Sequence, residues 1–133
     1  MKVWTPLVAL AAAVLFFVAL SDAIYEATSP SAFAWHVVLR KAYSVAAFAL
    51  VGYLLRRALA EHGKTRVPAT CVWGMAAYSG AIEIGQALVG SHEGLLWNGV
   101  DVLCGALGGA LACADQILTG RLKRRPIRER PRR

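Results

Sequence analysis

The stretch WNGVDVLCGALGGALA, residues 97–112, decides how this chain is read. Asn98, Asp101, Gly105, Gly108 and Ala112 follow one another at spacings of three, four, three and four, and Asp115 continues the series. Such a period lays one stripe along one side of a helix. Every member is small or polar. Small residues let membrane helices approach closely, and Gly105-x-x-x-Gly109 has the spacing associated with that approach. Just upstream, Ala76, Ser79, Glu83, Gln86 and Gly90 form a second stripe with the same rhythm. The short polar segment GSHEG at 90–94 separates the two helices, so they are expected to run antiparallel with their stripes in contact.

Working outward, the rest of the 133 residues has the same character. Apolar residues make up 57% and charged residues 17%, with a mean hydropathy of +0.48. About 25% charged is usual for a soluble domain, so this balance argues against both disorder and an ordinary water-soluble domain. A helix needs about 20 mostly apolar residues to cross a bilayer. Four candidates fall at 3–21, 39–60, 67–89 and 95–118. The second has an uncharged stretch of only 14 residues, 42–55, which Arg40, Lys41, Arg56 and Arg57 extend by snorkelling. Polar connections at 22–34, with its Ser-Pro-Ser, and at 61–66 complete an all-α bundle of four transmembrane helices with up-down topology. The first span also has the outline of a signal peptide, but Ser21-Asp22-Ala23 is a poor cleavage site.

Thirteen of the 15 basic residues fall on one set of flanks: Lys2, Arg56, Arg57, Lys64, Arg66 and eight in the final RLKRRPIRERPRR. The opposite set holds Arg40 and Lys41. The positive-inside rule then puts both termini in the cytoplasm of a multi-pass plasma (inner) membrane protein. Residues 1–120 read as a single transmembrane domain and 121–133 as a basic, disordered cytoplasmic tail. No aromatic interrupts the tail's arginines, so anionic lipid is the expected partner rather than nucleic acid. The odd count of three cysteines, Cys71, Cys104 and Cys113, lacks any metal spacing; they read as small buried hydrophobes, and neither metal nor cofactor is expected.

Charge inside a span is expensive, which singles out Glu83 and Asp101. With the third span running outward and the fourth inward, both carboxylates fall ~7 Å to the outer side of the bilayer centre, and Lys41 about 12 Å out. Lys41 and Ser44 share a face of the second span. Three helices are therefore expected to enclose an outward-opening polar cluster. The first helix, apolar all round, is expected to pack peripherally. Ligand-binding candidates are Lys41, Ser44, Glu83, Gln86, His92, Asn98 and Asp101; Ser79, Gly105, Gly108 and Gly109 are packing candidates. Competing with a site is a purely structural pairing of Lys41 with the carboxylates. Asp115 reads as a solvated helix end, and His36 and His92 as solvated loop histidines.

EIGQALVG (83–90) followed by WNGVDVLCGALGGALA (97–112), with LRKAYSVAAFALVGYLL (39–55) before them, resembles the VanZ-like family over about residues 36–119. Lys41, Glu83, Gln86, Asp101 and Gly108 match its pattern. Ser44 stands where the family usually has histidine, Gly105 where it often has asparagine, and His92 is near the place of an outer-turn arginine. The resemblance implies a small envelope membrane protein related to low-level teicoplanin resistance. The expectation is a protein, leaning non-enzymatic, that binds a lipid-linked, cell-wall-related or glycopeptide-related group at its outer polar cluster. Lys41 would attract an anion, and Glu83, Gln86 and Asp101 would orient polar groups. Two other classes stay open. One is a membrane-embedded enzyme on a lipid headgroup, with the two carboxylates as acid and base or holding a divalent cation with Gln86 and Asn98. The other is a small proton-coupled transporter, which would need a dimer to make a path.

Overall fold

A computed structural model describes residues 3–21, 23, 24, 27, 35–90 and 95–123. Among the described residues there is no strand, and five helices follow in order: α1 Trp4–Ala19, α2 His36–Glu61, α3 Val67–Leu88, α4 Leu95–Ala112 and α5 Ala114–Lys123. The first four alternate in direction. At one end the backbone N–H of Trp4 donates to Glu61 Oε2 at 3.3 Å, and Arg57 lies 4.6 Å over the Trp4 ring, so α1 starts where α2 finishes. At the other end Gln86 Nε2 donates to the Ala19 carbonyl at 2.9 Å, and Lys41 pairs with Asp101.

Local chemistry explains the tight reversal between α2 and α3. Gly63 adopts φ +63°, the left-handed conformation that a side chain disfavours. Its N–H donates to the Ala60 carbonyl at 3.0 Å, and the Lys64 N–H donates to Leu59 at 3.1 Å. Those two bonds close the helix with the paired pattern common at glycine-terminated ends. Pro68 then sits in the first turn of α3, where a missing N–H costs little.

The core is thin. Phe48, Val51, Met75 and Ile82 form its centre, and Tyr78 meets Phe48 edge-on at 6.1 Å between ring centroids. A second cluster gathers Val67, Cys71 and Cys113 at the end where α2 finishes. Cys71 and Cys113 are buried and Cys104 is half-buried. No residue of α1 is buried, yet α1 is more than a peripheral strut, since it accepts hydrogen bonds from Tyr78 at Ala12 and from Gln86 at Ala19.

α4 wedges between α2 and α3. A Cβ at Gly105 would stand 2.6 Å from the Met75 carbonyl oxygen, and one at Gly108 would stand 2.5 Å from Phe48 Cβ. Gly109 backs onto the Cys71 carbonyl. The small residues therefore do not form a seam toward one partner: Gly105 and Gly109 admit α3, and Gly108 admits α2. The backbone can come this close only because a glycine presents no side chain.

The fourth helix is shorter than its sequence pattern predicts. It stops at Ala112, and the chain resumes as α5 after a turn at Cys113. Arg56 explains the break. Its Nη1 donates to the Ala112 carbonyl at 3.0 Å, and its two terminal nitrogens grip Asp115 at 2.6 and 2.8 Å. A helix end leaves carbonyls without partners, and the guanidinium supplies one. Asp115 is thus exposed but paired, not merely solvated. α5 extends through 121–123, so the basic tail begins as helix; 124–133 lie outside the described residues, as do His92, Asp22, Glu26 and Glu93.

Among the described residues one helix, His36–Glu61, is by itself long and apolar enough to cross a membrane; Trp4–Ala19 and Leu96–Ala112 are apolar but shorter. Only 17% of the most apolar window of His36–Glu61 is buried.

Candidate functional site

The site lies at the end where α2 begins. Lys41, in the second turn of α2, makes a hydrogen-bonded ion pair with Asp101 on α4. Its ammonium also sits 5.6 Å from the centroid of the Trp97 ring, within the range of a cation–π contact. Asp101 is 9% exposed. Burying such a charge is tolerable only when it is matched, and Lys41 matches it. Ser79, 1% exposed on α3, donates its hydroxyl to the Asp101 backbone carbonyl at 2.8 Å. One residue of α4 is therefore held by α2 through its side chain and by α3 through its backbone. No buried side-chain nitrogen or oxygen among the described residues lacks a partner.

Beside this node is a cavity of about 540 Å³, within the size range of small-molecule sites. α1 contributes Leu15, Val18 and Ala19 to its wall. α2 contributes Arg40, Tyr43, Ser44, Ala47 and Phe48; α3 contributes Ser79, Ile82, Glu83 and Gln86; α4 contributes Asp101. Its wall combines charged and polar side chains with apolar ones, and it can take a guest with one polar and one apolar part.

Of the residues expected from the sequence, Ser44, Glu83, Gln86 and Asp101 meet in this wall. Lys41 does not; it stands outside the wall and holds Asp101. Gln86 spends its amide on the Ala19 carbonyl, closing the end of α1. Asn98 is half-buried on α4, one turn before Asp101 and outside the wall. His92 is outside the described residues.

Among the described residues Arg40 is the cation that lines the cavity, a place the sequence suggests for Lys41. The signal was present: Arg40, Ser44, Ala47 and Phe48 recur at helical spacing and share one face of α2. Tyr43 and the α1 residues were invisible to a search for intramembrane charge. No group of three or more His, Cys, Asp or Glu that could hold a metal ion occurs among the described residues.

Comparison with protein-family models, with curated protein sequences and with solved structures finds no match to this chain.

Proposed function

We propose that this chain is a VanZ-like integral protein of the cell envelope that crosses the plasma (inner) membrane four times, with both termini cytoplasmic. In this reading it binds a lipid or cell-wall-related headgroup in the cavity lined by Arg40, Glu83 and Asp101. The observation that carries the proposal is the extent of apolar surface left exposed on helices that also bury a charge. Asp101 and Ser79 are buried, whereas Phe17 is 74% and Leu103 68% exposed. Leu10, Val14, Leu50, Trp73, Ile84, Leu88 and Leu107 are exposed as well. Monomers in water rarely expose contiguous apolar surface on this scale, and hydrocarbon is the solvent that suits it.

His36–Glu61 supplies a full-length span. α1 and α4, at 16 and 18 residues, reach about 24 and 27 Å against a hydrocarbon core of about 30 Å. α4 meets α2 near both of its ends and α1 meets it at Glu61, so a bilayer crossed by α2 would enclose them too. Basic flanks at Arg56, Arg57, Lys64 and Arg66 support a cytoplasmic placement for the opposite end from the cavity. The cavity then opens on the outer side, where wall precursors and glycopeptides of the teicoplanin type act.

Reporter fusions after residue 63 and at the C-terminus should both report the cytoplasm, and a fusion after residue 92 the outside. The variants Glu83→Gln and Asp101→Asn should alter sensitivity to envelope-directed drugs at unchanged protein level. Unaltered sensitivity in correctly inserted variants would count against ligand binding.

A further inference from the structure

We propose that Cys71 and Cys113 are a modification site: a thiol pair that closes reversibly into an intramolecular disulfide and staples α3 to the junction of α4 and α5. The inference is independent of what the cavity binds. Both side chains are fully buried in one cluster with Val67, and their thiols are within hydrogen-bonding reach of each other. Both are free thiols in the structure.

Backbone geometry brings them together. A disulfide needs Cα atoms closer than about 7 Å, which facing helices reach only where their backbones nearly touch. α3 and α4 do so here, since a Cβ at Gly109 would collide with the Cys71 carbonyl oxygen. Cys113 follows Gly109 by four residues, one helical turn, and returns to the face of α4 that meets Cys71. It occupies the turn between α4 and α5, where dihedrals can adjust without breaking a helix. Cys104 is nine residues, about 13 Å, along α4 from Cys113, beyond the reach of a disulfide between them. Among the described residues no third His, Cys, Asp or Glu joins the pair, so it lacks the ligand set of a zinc site.

The oxidant is a low-molecular-weight disulfide of the glutathione type. The Cys113 thiolate attacks one of its sulfurs, forming a mixed disulfide and expelling one small thiolate. The Cys71 thiolate then attacks the Cys113 sulfur, forming the new bond and expelling the second small thiolate. The protein gives up two electrons, and its two thiol protons end on the two released thiols. Cys113 reacts first because its cover is lighter. Over it lies α5, a short helix held by Ile117 and by the exposed Arg56–Asp115 pair, and such elements open at small cost. Cys71 is held within α3, its thiol donating to the Gly52 carbonyl of α2 at 3.7 Å. In the proposed topology this end faces the cytoplasm, where thiols are kept reduced, so the bond forms when the small-disulfide pool rises and is undone when it falls.

The test uses the full-length protein in detergent micelles, equilibrated with graded ratios of oxidised to reduced glutathione, then alkylated and mapped by peptide mass spectrometry. A Cys71–Cys113 cross-link should form with Cys104 alkylated, and dithiothreitol should reverse it. Its equilibrium constant should fall by about 100-fold when the chain is unfolded in denaturant, because native packing no longer holds the thiols together. Cys71→Ala and Cys113→Ala should each abolish the cross-link, and Cys104→Ala should leave it. Asp115→Asn, which loosens α5, should speed cross-linking by up to about fivefold. The wild-type cross-link decides the matter even where an alanine variant fails to fold. Folded wild-type protein that keeps both thiols, that stops at a glutathione adduct, or that cross-links no better than the unfolded chain overturns the proposal. An unchanged rate in folded Asp115→Asn overturns the entry route through α5.

Discussion

Where α2 and α4 finish, the helices touch almost backbone to backbone: Gly109 lies against the Cys71 carbonyl, and the Gly52 carbonyl accepts the Cys71 thiol at 3.7 Å. Toward their other ends a cavity of about 540 Å³ is lined mainly by α1, α2 and α3, and α4 reaches it through Asp101, which Lys41 ties to α2. The contrast shows how a small bundle can carry a site. Close glycine packing runs along α4 from Gly109 to Gly105 and holds the helices in place up to the floor of the cavity. The polar ties also differ. Asp101 is buried and needs Lys41; Asp115 is 62% exposed, and Arg56 there serves mainly to end α4.

The sharpest way to break this contrast is at the open end. Lys41→Met leaves Asp101 buried without its cation and should cost about 3 kcal/mol, read as thermal stability in detergent. Adding Asp101→Leu should recover most of that loss, because two matched apolar groups replace a matched pair. If the single variant is as stable as the wild type, Asp101 is better solvated than its burial implies.

At the packed end, Gly109→Val drives a side chain into the α3 backbone and should cost about 2 kcal/mol in the same assay. Gly99→Ala on the same helix is its control. Nothing lies within 4 Å of that position, so alanine should stabilise by up to about 1 kcal/mol through helix propensity. Equal losses at both glycines would mean that propensity, not proximity, governs α4.

Smaller effects separate the two polar ties. Arg56→Met removes the partner of the Ala112 carbonyl and should cost about 1 kcal/mol. Asp115→Asn, at an exposed pair, should cost less than Arg56→Met and lose its effect in high salt. An equal loss in the two variants would place the stabilisation in the ion pair rather than in the helix end. Least of all, Tyr78→Phe removes one hydrogen bond to α1 and keeps the ring against Phe48; it should cost under about 1 kcal/mol and loosen α1 selectively, as followed by amide exchange.

Much of this was legible in the residue order. Helical spacing of Ser79, Asp101, Gly105 and Gly109 marks the positions where α3 and α4 meet, because small side chains at that period have one efficient use. Gly63 announces the turn between α2 and α3, since few other residues accept its φ. The contents of the cavity wall were less legible. Arg40 and Lys41 are adjacent in the chain, and a helix turns neighbours about 100° apart. One is committed to Asp101 and the other faces the cavity, which depends on how α2 is rotated against α4.

Residue order alone sets the helical composition, the places where runs of apolar residues must stop, and the two carboxylates that need an explanation, because these follow from period, turn chemistry and the cost of burying charge. Tertiary structure alone decided which cation answers which carboxylate, that Gly108 serves a different neighbour from Gly105 and Gly109, and that α4 ends at Ala112 under the Arg56 guanidinium. Those outcomes turn on the rotation and approach of one helix against two others. Contacts between groups some 60 residues apart, such as Lys41 with Asp101, set that geometry, and no local spacing encodes it.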